Sequence, residues 1–217
     1  TPLAHASDGS PLSYATPTQL AFLGWLSQTT RLVPVTARSL DALRRVRIPF
    51  AAAVCAHGGV LLTDDGAVDR DWAGEITEAA ARHGPALDRL ADAVRTEAAR
   101  RSVNLTVRVQ TEEGVPLYVV AKHPSADEAA LHAVADTVAT FPLDGWTTHR
   151  NGNNVAWMPP YLGKAKAVRR LLPRLRAAHP DTPIIGIGDS LTDAAFMAQC
   201  DFAMTPTGSQ LARAFRP

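Results

Sequence analysis

Residues 184–193 read Ile-Ile-Gly-Ile-Gly-Asp-Ser-Leu-Thr-Asp, and this run restricts the fold more than any other part of the chain. A short apolar stretch without alternation is a strand buried on both faces, the habit of a parallel sheet. It runs straight into a glycine turn and a predicted helix over 191–199, then a second apolar run at Phe202–Met204 and a helix over 209–215. Upstream, residues 164–178 place Val168, Leu171, Leu172 and Leu175 on one helical stripe. Strand and helix alternating in this way imply a parallel sheet with helices on both faces.

The start of the chain repeats the alternation. A helix is expected over 16–30, with Thr16-Pro17 as its cap and Leu20, Phe22, Leu23 and Leu26 as its apolar face. A valine-rich strand follows at 31–36, then a helix over 39–46, a strand over 51–56 and a turn at His57-Gly58-Gly59. The middle breaks the pattern. Residues 72–101 read as helix interrupted at Gly84-Pro85, followed by strands at 104–110 and 117–122 around a Glu-Glu-Gly turn. A helix over 126–140 carries Leu131, Val134, Ala135 and Val138. Strands at 146–150 and 155–158 then flank Asn151-Gly152-Asn153, a hairpin signal. The expected fold class is therefore α/β: a Rossmann-like parallel sheet core formed by 1–62 and 161–217, with a small α+β domain inserted at 63–160.

Composition narrows the function. The net charge of +1 comes without a long run of one sign, so there is no electrostatic footprint for nucleic acid or an acidic membrane surface. The arginines at 44, 45 and 47 and at 95, 100 and 101 fall at helical spacing and read as solvated faces. Cys55 and Cys200 sit far apart in apolar segments, as small buried hydrophobes of a reducing compartment rather than a disulfide framework or metal cluster. No apolar run approaches the ~18 residues of a membrane helix, so a soluble, cytoplasmic protein is expected.

Three places carry chemistry. Asp189 and Asp193 stand just past the end of an apolar strand, where open α/β sheets bind ligands. Lying four apart, they can face one point and suit a hard cation such as magnesium; the plainer reading makes them a helix cap and a first-turn acid. Thr36 ends another buried strand, where a hydroxyl and backbone N–H groups can cradle phosphate, although taken alone it reads more simply as a helix cap. Lys164 opens a helix, where the dipole already presents positive charge, which points to a partner anion such as phosphate or a carboxylate; taken alone it reads more simply as a surface lysine beside Lys166.

In this order the three places resemble the later signature motifs of the haloacid-dehalogenase-like superfamily. Thr36-Ala37-Arg38 is similar to its Thr-Gly-Arg, Gly163-Lys164-Ala165-Lys166 to its lysine motif, and Gly188 through Asp193 to its Gly-Asp-Ser-x-Asn-Asp, with Thr192 for asparagine. The insertion is similar to the C2-type α+β cap of sucrose-phosphate, trehalose-phosphate and Cof-type phosphatases. The resemblance implies a magnesium-dependent phosphatase working through an aspartyl-phosphate on a small phosphoester, a sugar phosphate first. Thr36 and Lys164 would act on the transferring phosphoryl group, with Ala37 and Arg38 beside it. Asp189, helped by Asp193, would hold Mg2+.

The first motif, an apolar strand ending in Asp-x-Asp-x-Thr, is missing from these residues. Its nearest string, Ala6-Ser7-Asp8-Gly9-Ser10, follows a stretch too short and too interrupted by proline for a central strand. The motif is therefore expected before Thr1. The alternative places Ala6 at the nucleophile position, in a catalytically inactive phosphate-binding or regulatory module. In the insertion, Lys122, His149, Arg150 and Asn153 are candidates to meet a polar substrate, although each reads more simply as a plain surface residue. Trp146 and Trp157 could stack on a sugar, but read more simply as core.

Overall fold

The structure is a computed structural model that describes residues 1–50, 52–139, 141, 143–150 and 152–215. In chain order its elements are β1 (Pro2–His5), β2 (Pro11–Tyr14), α1 (Pro17–Thr29), α2 (Leu40–Arg44), β3 (Ala53–Cys55) and β4 (Val60–Leu62). Next come α3 (Arg70–Arg100), β5 (Thr106–Glu112), β6 (Val115–Lys122), α4 (Glu128–Val138), β7 (Thr147–Arg150) and β8 (Val155–Met158). The chain ends with α5 (Lys164–Ala178), β9 (Ile185–Ile187), α6 (Ala194–Met197), β10 (Phe202–Met204) and α7 (Gln210–Ala214). It divides into two compact units, Thr1–Ala73 with Lys164–Pro217, and Gly74–Gly163. None of the described helices is long and apolar enough to cross a membrane.

The discontinuous unit is α/β. Its β9 and β10 pair in parallel, Gly186 opposite Ala203, with α6 in the crossover between them. A second parallel contact joins Val35 to Val54 of β3. The strand expected at 31–36 is thus reduced to one bridge, and Pro34 is the reason. Having no N–H, it offers β3 only its carbonyl, which accepts from the Val54 N–H at 2.8 Å. β3 turns through a 3₁₀ segment, Ala56–Gly58, into antiparallel β4, and these strands share a core with Leu40 and Leu43 of α2. The Ala51 end of the expected strand lies outside the described residues.

At the start of the chain β1 and β2 form an antiparallel hairpin, not an element of the parallel sheet. Helix α1 begins as its sequence indicates. Thr16 accepts from the Gln19 N–H at 3.2 Å while Gln19 accepts from the Thr16 N–H at 2.9 Å, a capping box behind Pro17. Its apolar face differs from the expected one: Leu26 is buried, but Phe22 and Trp25 are exposed and stack on each other with centroids 5.9 Å apart.

The 74–163 unit is α+β. Its antiparallel sheet has the order β5-β6-β8-β7. The β5–β6 turn puts both Glu113 and Gly114 at positive φ, as a two-residue type I′ turn requires. Leu87, Leu90, Ala91 and Val94 of α3 and Leu131, Val134, Ala135 and Val138 of α4 pack with Val119, Val155 and Trp157 of the sheet. The interruption expected at Gly84-Pro85 is absent: α3 runs through Pro85. Proline removes one hydrogen bond and crowds the preceding turn, but buried residues on both sides, Ala79 and Ala80 before it and Leu87 and Leu90 after it, keep the helix in place. Thr140, the end of the helix expected over 126–140, and Asn151, the start of the hairpin signal, lie outside the described residues.

Candidate functional site

The site is built around two glycines, Gly186 in β9 and Gly188 just after it. A β-carbon on Gly186 would stand 2.9 Å from the Met197 Cα, and one on Gly188 would stand 2.6 Å from both the Asp193 Cβ and the Met197 Sδ. These glycines let the turn and helix after β9 lie directly on the strand. Asp189 follows at the strand's carboxyl end, and residues 191–193 make a 3₁₀ turn before α6.

Asp193 is the hub. Its Oδ2 accepts from the Asp189 N–H at 3.2 Å, the Ser190 N–H at 3.1 Å and the Ser190 hydroxyl at 2.9 Å. Its Oδ1 takes the Lys164 ammonium at 2.7 Å. Burial pushes the Asp193 carboxyl up, but Lys164 and the Ser190 donors outweigh it and hold the carboxyl below its usual value. The anion that a lysine at a helix start calls for is therefore a carboxylate of the protein, brought from 29 residues away. Ser190 is a member of this cluster that its residue type did not single out; its position, three before an aspartate at the start of a helical turn, is the capping signal that could have.

Asp189 differs from Asp193. It is exposed, its N–H is engaged by Asp193, and its carbonyl accepts from the Leu211 N–H of α7 at 2.9 Å. Among the described residues, no hydrogen bond or ion pair of its carboxylate is found. A hard cation would meet Asp189 first, since both Asp193 oxygens already have donors. Among the described residues no group of three or more His, Cys, Asp or Glu is placed to hold a metal. The one carboxylate left open, that of Asp189, still matches magnesium, which keeps waters and substrate oxygens in its shell.

Thr36 lies in another part of the same unit. Its N–H donates to the Val54 carbonyl at 2.8 Å and its carbonyl accepts from the His57 N–H at 3.2 Å. Its hydroxyl accepts from the Arg38 N–H at 3.1 Å, and the Arg38 carbonyl takes the Ala56 N–H at 2.7 Å. Thr36 does not cap α2; Ser39 does, accepting from the Ala42 N–H at 3.1 Å. The turn from Thr36 through Ala37 to Arg38 is thereby sewn to residues 54–57, and α5, which begins with Lys164, packs against β3 and that 3₁₀ segment.

Ala6 to Ser10 form the tip of the β1–β2 hairpin. The Ala6 N–H donates to the Ser10 carbonyl at 2.8 Å, and Asp8 is tied to the Ser10 N–H at 2.9 Å. In the other unit, Asn153 exchanges hydrogen bonds with the His123 backbone, Arg150 pairs with Asp136 at 2.7 Å, and His149 is buried in β7. Lys122 ends β6 exposed. Trp157 is core, and Trp146 is half-buried against the same core beside His83.

No family model and no curated protein matches this sequence. Solved structures do match. The sucrose-phosphatase of Synechocystis, in complex with sucrose and phosphate, aligns over 93% of this chain and 81% of its own at 16% identity and TM-score 0.58. The C-terminal domain of the C. albicans trehalose-6-phosphate phosphatase aligns over 86% of this chain and 68% of its own at 13% identity and TM-score 0.54. The Plasmodium falciparum IMP-nucleotidase aligns over 93% of this chain and 62% of its own at 10% identity and TM-score 0.58. At these identities the likeness is one of fold.

Proposed function

We propose that this chain, whose fold is that of the haloacid-dehalogenase-like phosphatases, is the larger part of a magnesium-dependent phosphomonoester hydrolase. The observation that carries the reading is the Lys164–Asp193–Asp189 cluster at the carboxyl end of β9, where Asp193 holds the ammonium of Lys164 and the backbone of the turn that carries the exposed Asp189. A phosphoryl group needs both: cationic donors for its oxygens and a carboxylate to hold a metal against them. Asp189 would hold the magnesium directly and Asp193 would keep Asp189 and Lys164 in place. When bound, the metal would offset phosphate charge against the attacking group. Lys164 would bind a transferring oxygen, and the turn from Thr36 through Ala37 to Arg38 would add its hydroxyl, backbone and guanidinium.

Attack on phosphorus needs a nucleophilic aspartate at the end of a central strand. The hairpin around Ala6 supports neither a strand of that kind nor a nucleophile position there, and so favours an aspartate from a segment before Thr1 over the inactive-module reading. We take the 74–163 unit as the cap of the enzyme. The substrate proposed is a sugar phosphate, because two of the structural neighbours are named for sucrose and trehalose-phosphate hydrolysis; the nucleotidase makes a nucleoside monophosphate the second choice.

The test is phosphate release from an aryl phosphate, then from a panel of sugar phosphates and nucleotides, by protein that includes the preceding segment. Turnover is expected to require magnesium and to fall by roughly two to three orders of magnitude in Asp189→Asn. Undiminished turnover in that variant, or in excess chelator, would remove the metal role assigned here.

A further inference from the structure

Gln199 stands just beyond α6 and reaches back to two carbonyls. Its Nε2 donates to the Ala165 carbonyl at 3.0 Å and to the Ala195 carbonyl at 3.1 Å. Ala165 follows Lys164 in the first turn of α5, and Ala195 lies in α6, two residues after Asp193. One side-chain amide thus fastens α5, whose first residue is Lys164, to α6, whose N-cap is Asp193. With carbonyl oxygens on both partners only the NH2 group can face them, so the amide orientation is set by chemistry. The geometry also has a cost: the Gln199 Oε1 is buried with no hydrogen-bond partner.

Lys164 has reason to need such a fastening. Its ammonium is a point charge on a flexible four-carbon stem, placed where the helix dipole is unfavourable. Asp193 attracts it, but one ion pair does not by itself set how the first turn of α5 lies against α6.

We infer that Gln199 is a positioning residue: through Ala165 it locks the first turn of α5 onto α6, and so holds the Lys164 ammonium at the Asp189–Asp193 turn. The consequence for catalysis rests on the phosphatase reading; the positioning itself does not.

The test uses the chain's three lysines, Lys122, Lys164 and Lys166, as reporters of acetylation by acetic anhydride. Gln199→Met keeps the length and removes the donors, and Gln199→Glu keeps the shape with acceptors alone. Lys164 is expected to label roughly fivefold faster in both variants, by local opening of the pair, while the exposed Lys166 and Lys122 keep their rates. An unchanged Lys164 rate overturns the inference. So does an equal rise at all three lysines, which would mean that Gln199 supports the fold and not the lysine. Titration with inorganic phosphate and magnesium, followed by phosphorus NMR, separates the two claims. If the unaltered chain binds no phosphate, the proposed function fails while the labelling still decides the role of Gln199. If phosphate binds, Gln199→Met is expected to weaken it in the unaltered chain and to add nothing in a Lys164→Met background; an equal loss in both backgrounds rules out the route through Lys164.

Discussion

Asp193 occupies the space that a side chain on Gly188 would need: a β-carbon there would stand 2.6 Å from the Asp193 Cβ. The carboxylate that binds Lys164 and the Asp189 N–H therefore depends on a hydrogen atom five residues earlier.

Gly188→Ala is expected to destabilise the chain by about 1–3 kcal/mol, the range for overpacking a filled site, and to displace the 189–193 turn. Gly74→Ala is the control. It is helical with nothing within 4 Å of its new β-carbon, so stability is expected to stay level or rise by up to ~1 kcal/mol. Urea unfolding of the two variants measures the contrast.

The Lys164–Asp193 pair is largely shielded, with side-chain exposures of 14% and 6%. Lys164→Met strands the carboxylate and is expected to cost about 3–5 kcal/mol, the usual effect of removing one partner of a buried pair. The pH dependence follows from the lowered Asp193 value. The native state binds the proton more weakly than the unfolded chain, so the contribution is full above the ordinary carboxylate value. It fades as pH falls below about 4 and is lost below the native value. Stability measured from pH 6 downwards should fall less steeply in Asp193→Asn than in the unaltered chain.

The buried Asp69 is a second anchor. It accepts from the Trp72 N–H at 3.0 Å at the start of α3 and pairs with Arg174 of α5. Asp69→Ala removes the cap and strands a cation that is 43% exposed and can turn to water, so about 2 kcal/mol is expected, most of it from the cap. Arg174→Ala leaves a buried carboxylate with, among the described residues, the Trp72 N–H as its donor and should cost more than a surface arginine such as Arg82, whose partner Glu78 is exposed. Denaturation midpoints of the three variants order them.

Pro85 sits inside a continuous α3. Pro85→Ala restores the missing donor and removes the clash with the preceding turn, and is expected to raise stability by about 1–3 kcal/mol. A fall in the unfolding midpoint would mean that the proline itself is needed for the packing of Leu87 and Leu90.

These relationships differ in how far the sequence reveals them. The helix–hairpin–helix–hairpin order of the middle, the Thr16 cap and the β9–turn–helix run are local in origin, set by spacing and turn chemistry, and were readable. The sequence also flagged Lys164 as a cation needing an anion. It could not say which, because Asp193 is brought to it by tertiary packing. The weakness of the 31–36 strand turned on Pro34 within an otherwise apolar run, and the continuity of α3 on long-range packing that outweighs a proline. Gln199 has no sequence signal at all: a glutamine after a short helix becomes informative only when its amide is seen on the Ala165 carbonyl.

The central claim is that Asp189 holds magnesium beside a phosphate at the end of β9, and calorimetric titration of magnesium in the presence of inorganic phosphate tests it most directly. The unaltered chain is expected to bind the two together, and Asp189→Asn to lose at least about tenfold in magnesium affinity, the scale of one lost charged ligand. Equal affinity in the two proteins would contradict the assignment.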